Sequence, residues 1–340
     1  MASSILSPHA PLTISISFVH GLLSGMTERG LSTDALLAGV GIDEELLQHA
    51  GSRITAEQYL KLFRDTCTHL DDECLALLSR PFKRGSYALM AQSSLNAPDL
   101  QQAIARIVHA FGVLQDDMTL ELVTDRRRRL AGMELRFTDP RSSRREFMHV
   151  HMLRAQWRLL DWLVGGHLPI VRFDFAFDAP ADTVGYSDFF ASPIAFGKPQ
   201  SAFWFDDRYL QSPLRVDETG LRDFLTDPQV KLRVPGPDVD ETSAKVRSHL
   251  HATKPAWPDL DATAIELFMS PTSLQRKLAH EGVTFQAIKD ELRRDMAVNY
   301  LKTTSLSLKE IADKLGFSES SAFQRAFKGW TGSAPGSYRR

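Results

Sequence analysis

Apolar positions recur three and four residues apart along most of the last hundred residues of the chain. From Ser307 to Leu315, Leu308, Ile311, Ala312 and Leu315 share one helical face, and Ser307 with Glu310 forms a capping box at its start. Gly316 stands where the chain must turn tightly, and Phe317 supplies an apolar plug between two crossing helices. Ser318 is read as the N-cap of a second helix, from Glu319 to about Lys328, with Ala322, Phe323, Ala326 and Phe327 turned inward. Its outer face carries Glu319, Ser320, Ser321, Gln324, Arg325 and Lys328, side chains that donate to or accept from base edges and phosphates in a major groove. A helical hairpin packed in a larger core would also leave a polar face toward water. The cap, turn glycine, plug and polar face all fall in register here, and a similar unit precedes them, which favours a DNA-reading helix-turn-helix.

In the preceding unit Ala264, Ile265 and Phe268 mark one helix. Ser270 and Pro271 cap the next, because a proline at the first helical position loses no hydrogen bond, and Leu274 and Leu278 are its buried stripe. Thr272, Ser273, Gln275, Arg276 and Lys277 lie outside, and the first four of these are the DNA-contact candidates of this unit. A helix from roughly Phe285 to Leu301, with Ile288, Leu292, Met296 and Leu301 at helical spacing, would join the two units rigidly. Rigidity matters because two recognition helices enter successive major grooves only when held about one helical turn apart, ~34 Å.

The first 230 residues mix helical and strand patterns without a βαβα rhythm, so α+β is expected there. Helical patterns fall near Ile14 to Met26, after the capping box Thr55/Gln58, from Asp99 to Phe111, and from Arg144 to Leu163. Met118 to Val123 and Leu130 to Phe137 alternate as strands around a polar tip of Asp125 and Arg126 to Arg129, and Ile170 to Phe177 is rich in β-formers. Two prolines and a glycine in residues 232–240 stop both helix and strand. The expected division is therefore a sensing or dimerising domain over 1–230, a linker at 231–239, and an all-α domain of two helix-turn-helix units and a connecting helix over 240–340.

Composition removes several classes of function. With 43% apolar and 24% charged residues the 340-residue chain has an ordinary globular balance, and no run approaches the roughly 20 apolar residues that span a bilayer. A cytoplasmic location, at the nucleoid when bound to DNA, is expected, with no membrane partner. Cys67 and Cys74 are expected as buried free thiols, and two cysteines cannot supply a four-thiolate zinc site. His149 and His151, two apart on a helix, point to different sides and make a poor metal pair. No phosphate-binding glycine loop, nucleophile elbow or HExxH occurs, so neither catalysis, cofactor nor metal is expected. The net charge of −2 divides unevenly: from Asp240 onward 15 basic and 12 acidic residues give +3, leaving −5 to the remainder. A modestly basic reading head on an acidic body suits a limited set of phosphate contacts.

Ile311, Ala312, Leu315, Gly316, Phe317, Ser318, Ser321, Phe323, Arg325, Phe327, Lys328, Trp330, Gly332, Pro335, Tyr338 and Arg339 follow, nearly position by position, the signature of the AraC/XylS family of bacterial transcription regulators, which the segment from about Asp240 resembles. One departure is Phe268, where the first unit of that family usually carries a turn glycine. Arg53 to Gln58, Tyr186 to Gly197 and Trp204 to Leu214 are similar to the N-terminal "arabinose-binding" effector domain of the ornithine-utilisation-regulator type.

The resemblance implies a two-domain regulator, expected to be an activator, with promoter DNA, RNA polymerase and a small-molecule effector as partners and a homodimer as one possible state. The aromatic residues of the first domain, among them Phe175, Tyr186, Phe190 and Trp204, would suit an effector pocket and equally a β-rich core. An apolar effector needs no ionic anchor; an amino acid would need one, for which Arg172 and Asp174 are the candidates. The alternative is a ligand-independent DNA-binding regulator whose first domain only dimerises or holds a partner protein.

Overall fold

The computed structural model describes residues 13–138, 146–180, 183, 185–186, 189–190, 192–226, 234 and 242–339. In chain order the helices are α1 (Ile16–Thr27), α2 (Asp34–Gly39), α3 (Glu44–Leu47), α4 (Ala56–Leu70), α5 (Ser86–Ser94), α6 (Leu100–Leu114), α7 (Glu146–Leu163), α8 (Glu218–Thr226), α9 (Thr242–Ala252), α10 (Leu260–Glu266), α11 (Pro271–His280), α12 (Phe285–Thr303), α13 (Leu308–Lys314) and α14 (Ser320–Thr331). The strands are β1 (Thr13–Ser15), β2 (Arg53–Thr55), β3 (Met118–Asp125), β4 (Leu130–Phe137), β5 (Arg172–Asp174), β6 (Ile194–Ala195) and β7 (Ser201–Asp206). They gather into two compact units: one of Met1–Ile16, Leu37–Tyr59 and Asp238–Arg340, the other of Ser17–Leu36 and Leu60–Pro237. Residues 37–59 thus fold with the C-terminal helices rather than with the rest of the first 230 residues. The expected linker at 231–239 lies outside the described residues, Val234 apart.

The second unit is built on a five-stranded sheet in the order β3-β4-β7-β5-β6, in which only β5 and β6 run parallel. The Met118–Asp125 and Leu130–Phe137 hairpin pairs in full register from Met118↔Phe137 to Asp125↔Leu130, and Asp125 accepts from the Arg127 and Arg128 amides at the polar tip. Phe173, Phe175, Phe203 and Phe205 are fully buried, each worth about 1.5–3 kcal/mol of burial. The strand expected over Ile170 to Phe177 is only Arg172–Asp174; Val171 just before it donates its amide to the Trp204 carbonyl of β7 at 2.7 Å, and Phe175 to Phe177 bond to Ala195 and Gly197 as irregular chain. The helix expected near Ile14 starts two residues later, since Thr13–Ser15 is drawn into pairing with Arg53–Thr55. The capping box of Thr55 and Gln58 is formed, and Leu100, Ala103, Ile104, Ile107 and Phe111 are the buried stripe of α6. Along α7, His149 faces the sheet and meets Ser201 Oγ at 2.7 Å, while His151 lies on another side beside the rings of Phe63 and Phe147. The start expected for this helix at Arg144 falls outside the described residues. Cys67 and Cys74 are both buried and form no disulfide with one another.

The first unit holds two small hydrophobic cores. Val246, Leu250, Ala264, Leu274, Leu278 and Ile288 form one; Met296, Ala297, Val298, Leu301, Ile311, Ala312, Leu315, Phe323, Phe327 and Tyr338, with Leu46 and Trp257, form the other. Helix α12 threads both, and Leu292 packs against each. Trp257, in the loop before α10, reaches from the first helix-turn-helix into the second core and donates its ring N–H to the Lys314 carbonyl at 3.1 Å. Helix α9, which the sequence pattern did not indicate, is capped by Glu281, whose carboxylate accepts from the Thr242 and Ser243 amides at 2.8 and 2.9 Å.

Two expectations for these helices are corrected. Ile265 and Phe268 are not part of the buried face of α10; Thr263 and Ala264 are, while Ile265 is exposed and Phe268 lies beyond the helix end, 98% exposed. Phe268 takes the left-handed conformation, φ 56°, and its amide together with that of Met269 satisfies the last α10 carbonyls. Ser318 is not the N-cap of the last helix. Glu319 holds that position, with extended backbone and no side-chain cap bond, so the helix begins one residue later and runs to Thr331, where Gly332 closes it at φ 76°.

Two measurements follow from this geometry. A non-glycine residue in the left-handed region costs about 1–2 kcal/mol, and an exposed Phe268 gains little in return. Phe268→Gly is expected to raise stability by about 1 kcal/mol in denaturant unfolding, after the entropy cost of glycine is counted; a loss of stability contradicts the strain. For His151, burial lowers the imidazole to about 4, with the charges of Arg158 and Arg154 adding to it, against an ordinary value of 6.5. The folded state therefore keeps it neutral while the unfolded chain takes up a proton. This contribution is complete above pH 6.5 and falls by about 1.4 kcal/mol per pH unit down to about pH 4. His151→Gln is expected to flatten the pH dependence of unfolding between those limits by up to one proton; an unchanged slope contradicts the burial.

Candidate nucleic-acid interface

The second helix-turn-helix forms because each local signal agrees with the tertiary packing. The Ser307 hydroxyl accepts from the Glu310 amide at 3.2 Å and the Glu310 carboxylate accepts from the Ser307 amide at 2.7 Å, which fixes the start of α13. Those bonds hold the Glu310 carboxyl below its ordinary value. Gly316 turns at φ 72°, and a Cβ there would meet the Trp257 ring at 3.0 Å, so glycine is required by both conformation and space. Phe317 sits half-buried against Phe323 and Trp330, ring centroids 5.8 and 6.0 Å away, and the Arg293 guanidinium lies over the rings of both Trp257 and Phe317.

With Phe323 and Phe327 fully buried, the opposite face of α14 is presented outward. Ser321, Gln324, Arg325 and Lys328 are exposed there, Ser320 is half-buried, and Glu319 precedes them, exposed. Glu319 accepts from the Ser321 hydroxyl at 3.0 Å, and Gln324 donates to Ser320 at 3.3 Å, which orients the polar row along the helix. The first unit repeats the plan. Ser270 caps α11 through the Ser273 amide at 3.2 Å with Pro271 in the first turn, Leu274 and Leu278 are buried, and Thr272, Gln275 and Arg276 are exposed, with Ser273 half-buried. Each candidate DNA-contact side chain thus lies on the outer face or at the first turn of a helix whose inner face is fixed in one of two cores joined by α12. Among the described residues, no group of three or more His, Cys, Asp or Glu side chains could hold a metal ion, and no helix is long and apolar enough to cross a membrane.

In the other unit the structure brings three of the four effector candidates together. Phe175, Tyr186 and Phe190 are buried within one ring cluster, with centroids 5.9 Å apart for Phe175 and Tyr186 and 5.5 Å for Phe175 and Phe190. Phe18 of α1 joins them, 4.2 Å from Phe189, and the Arg154 guanidinium caps Phe189 at 4.3 Å. Burial, with the nearby carboxylate of Glu146, pushes the Tyr186 hydroxyl well above its ordinary value. Trp204 is elsewhere, since it alternates with Phe203 and Phe205 along β7 and faces the opposite side of the sheet. Its ring N–H donates to Asp174 at 2.7 Å, and Arg172 bonds both Asp174 oxygens at 3.2 Å while stacking over the indole. Arg172 and Asp174 are therefore partners of one another and of Trp204. Glu146 and Arg154 were not singled out in the sequence; both lie on α7, eight residues apart, a spacing that places them along one side of the helix.

Two family profiles match the chain. One, described as the arabinose-binding domain of AraC transcription regulator, N-terminal, covers residues 30–214, and a helix-turn-helix domain profile covers residues 263–340. The ornithine utilization regulator of Pseudomonas aeruginosa is 29% identical over 330 residues, covering 96% of this chain and 96% of its own. The regulator VqsM of the same organism is 28% identical over 197 residues, covering 56% of this chain and 59% of its own. Among solved structures, the transcriptional regulator CdpR from Pseudomonas aeruginosa aligns over 94% of this chain and 97% of its own, at 19% identity and a TM-score of 0.34. A profile that spans more than half of the sequence, followed by a helix-turn-helix match to its end, shows that the chain belongs to the AraC family of DNA-binding transcription regulators, with an N-terminal domain of the arabinose-binding type.

Proposed function

We propose that this regulator reads promoter DNA through Thr272, Ser273, Gln275 and Arg276 of the first unit and Glu319, Ser320, Ser321, Gln324, Arg325 and Lys328 of the second, and that it activates transcription from the cytoplasm by contact with RNA polymerase. The observation that carries the reading is the pair of polar helix faces, on α11 and α14, held by the single helix α12. Arg325 is the residue with most to lose, since an exposed guanidinium on a recognition helix can bond a guanine edge with two hydrogens, worth about 1–3 kcal/mol of discrimination. Lys328 is suited to a phosphate and would contribute affinity without sequence preference. The relatives are transcription regulators.

For the effector, we infer a small metabolite taken up at the ring cluster of Phe175, Tyr186 and Phe190. Glu146 and Arg154 beside it offer opposite charges, a combination that suits an amino acid or amine, and the relative named for ornithine utilization supports that class. Trp204, also an effector candidate in the sequence, lies on the far sheet face and is not part of this proposed site. A ligand-independent unit that only dimerises or holds a partner protein is the competing reading, and the thermal-unfolding test below separates the two.

Full-length protein is expected to retain DNA fragments from upstream of its own gene at fixed moderate salt, and Arg325→Ala to weaken that binding at least tenfold without loss of fold. Equal retention by the variant removes Arg325 from base reading. Transcription from the retained fragment is expected to rise with added protein, and a fall reverses the proposed sign. In thermal unfolding, ornithine is the first probe of a metabolite panel. A rise in midpoint lost in Tyr186→Ala supports the ring cluster, whereas no rise with any metabolite favours the dimerisation reading.

A further inference from the structure

The compact unit that carries both helix-turn-helix motifs contains two stretches from the other end of the sequence. Strand β1 pairs with β2 as a short antiparallel ribbon, Thr13↔Thr55 to Ser15↔Arg53, and this ribbon lies on α12. Arg53, only 4% exposed, donates from Nε to the Thr13 hydroxyl at 2.7 Å and from Nη2 to the Thr13 carbonyl at 3.0 Å. The Thr13 hydroxyl passes its own hydrogen to Asp295 Oδ1 on α12, at 2.7 Å. The same oxygen lies 3.4 Å from Arg53 Nε and 2.9 Å from Arg294 Nε. Burial alone would push the Asp295 carboxyl up; Arg294, Arg53 and the Thr13 hydroxyl outweigh it and hold the group below its ordinary value.

The same segment touches the second helix-turn-helix at four further points. The Arg53 amide donates to the Tyr338 hydroxyl at 3.0 Å, and the buried Tyr338 ring packs edge-on against Phe327 of α14, 5.1 Å between centroids. A Cβ on Gly51 would sit 3.0 Å from the Thr331 carbonyl at the end of α14, so the two backbones meet without room for a side chain. Leu46 is fully buried in the second core. Lys302, at the end of α12, donates to the Gly41 carbonyl at 3.1 Å. Apart from Leu46, these contacts fall on α12, on the C-terminal end of α14 and on the turn Pro335–Tyr338 after it. None covers Ser321, Gln324, Arg325 or Lys328, which remain exposed. The ribbon therefore backs the second recognition helix without competing with DNA for its polar face.

We propose that the DNA-reading unit is assembled from three separate stretches of chain, and that Arg53 is a positioning residue that sets the second helix-turn-helix on α12 for DNA reading. This rests on the assignment of α14 as a DNA-contacting helix. A largely buried ion pair stripped of one partner leaves an uncompensated charge, which is strongly destabilising to the local arrangement. Recognition requires its side chains to be held within about 0.5 Å of their working positions. Loss of Arg53 acts on α14 and the C-terminal half of α12, while none of the buried residues of the first core comes from the ribbon.

The test is hydroxyl-radical footprinting of full-length protein on the retained promoter fragment, with Arg276→Ala and Arg325→Ala used to assign one protected half-site to α11 and the other to α14. Arg53→Ala is expected to weaken overall binding about tenfold and to lose protection over the α14 half-site while keeping it over the α11 half-site; Arg53→Lys is expected to restore part of the lost protection. Equal weakening at both half-sites, or no change at either, overturns the proposal. Should Arg53→Ala not fold, Gly51→Val wedges a side chain against Thr331 and must produce the same one-sided loss, and an unchanged footprint from it is equally fatal. If Arg325→Ala leaves the footprint intact, the assignment of α14 has failed instead, an outcome distinct from a failure of the ribbon.

Discussion

Everything in the DNA-reading unit depends on the packing of one helix, α12, into two cores. Its N-terminal half supplies Ile288 to the first, its C-terminal half supplies Met296, Ala297, Val298 and Leu301 to the second, and Leu292 touches both. Neither core is large enough to define a stable domain alone, and their sharing of a stiff 19-residue helix, roughly 28 Å long, ties the direction of one recognition helix to that of the other. Trp257 adds a second tie, since it leaves the loop before α10 and fills the turn of the second helix-turn-helix beside Gly316. A protein that reads two successive grooves with one polypeptide needs this constraint, because an error in angle at either helix is paid in lost base contacts.

The two halves of the chain solve different problems with similar materials. In the DNA-reading unit the aromatic residues Phe317, Phe323, Phe327, Trp330 and Tyr338 stay behind the helices and leave polar side chains outside. In the sensing unit Phe173, Phe175, Phe203 and Phe205 fill the sheet interior, and the ring cluster continues to Tyr186, Phe190 and Phe18 near the charged residues of α7. The first arrangement leaves hydrogen-bonding groups exposed; the second packs Tyr186 among rings, with the Arg154 guanidinium over Phe189.

Much of this was legible in the sequence where the signal is local. The capping boxes at Ser307 and Thr55, the stripe of α6, the β3–β4 hairpin and the outer faces of α11 and α14 are set by residues within a few positions of one another, and they are found where the spacing places them, with β3 two residues longer than expected and Ser273 and Ser320 half-buried. Other features were hidden because they depend on distant partners. Arg53 reads as an ordinary arginine before a helix cap until Asp295 and Tyr338 are brought to it from more than 240 residues away. Helix α9 offers only Val246 and Leu250 as large apolar residues, too short a stripe to mark it, and its start is capped by Glu281, the residue that closes α11. Trp204 looked equivalent to its aromatic neighbours, yet strand alternation places it on the opposite face. Ser318 was the better N-cap by residue type, but the turn after Phe317 carries the extended backbone to Glu319.

Two recognition helices on one rigid unit are expected to read two consecutive grooves. Hydroxyl-radical footprinting of the wild-type protein on its retained promoter fragment tests it most directly. Two protected patches on one face of the duplex are expected, with centres about 10 base pairs apart. A single patch, or two patches on opposite faces of the DNA, would contradict it.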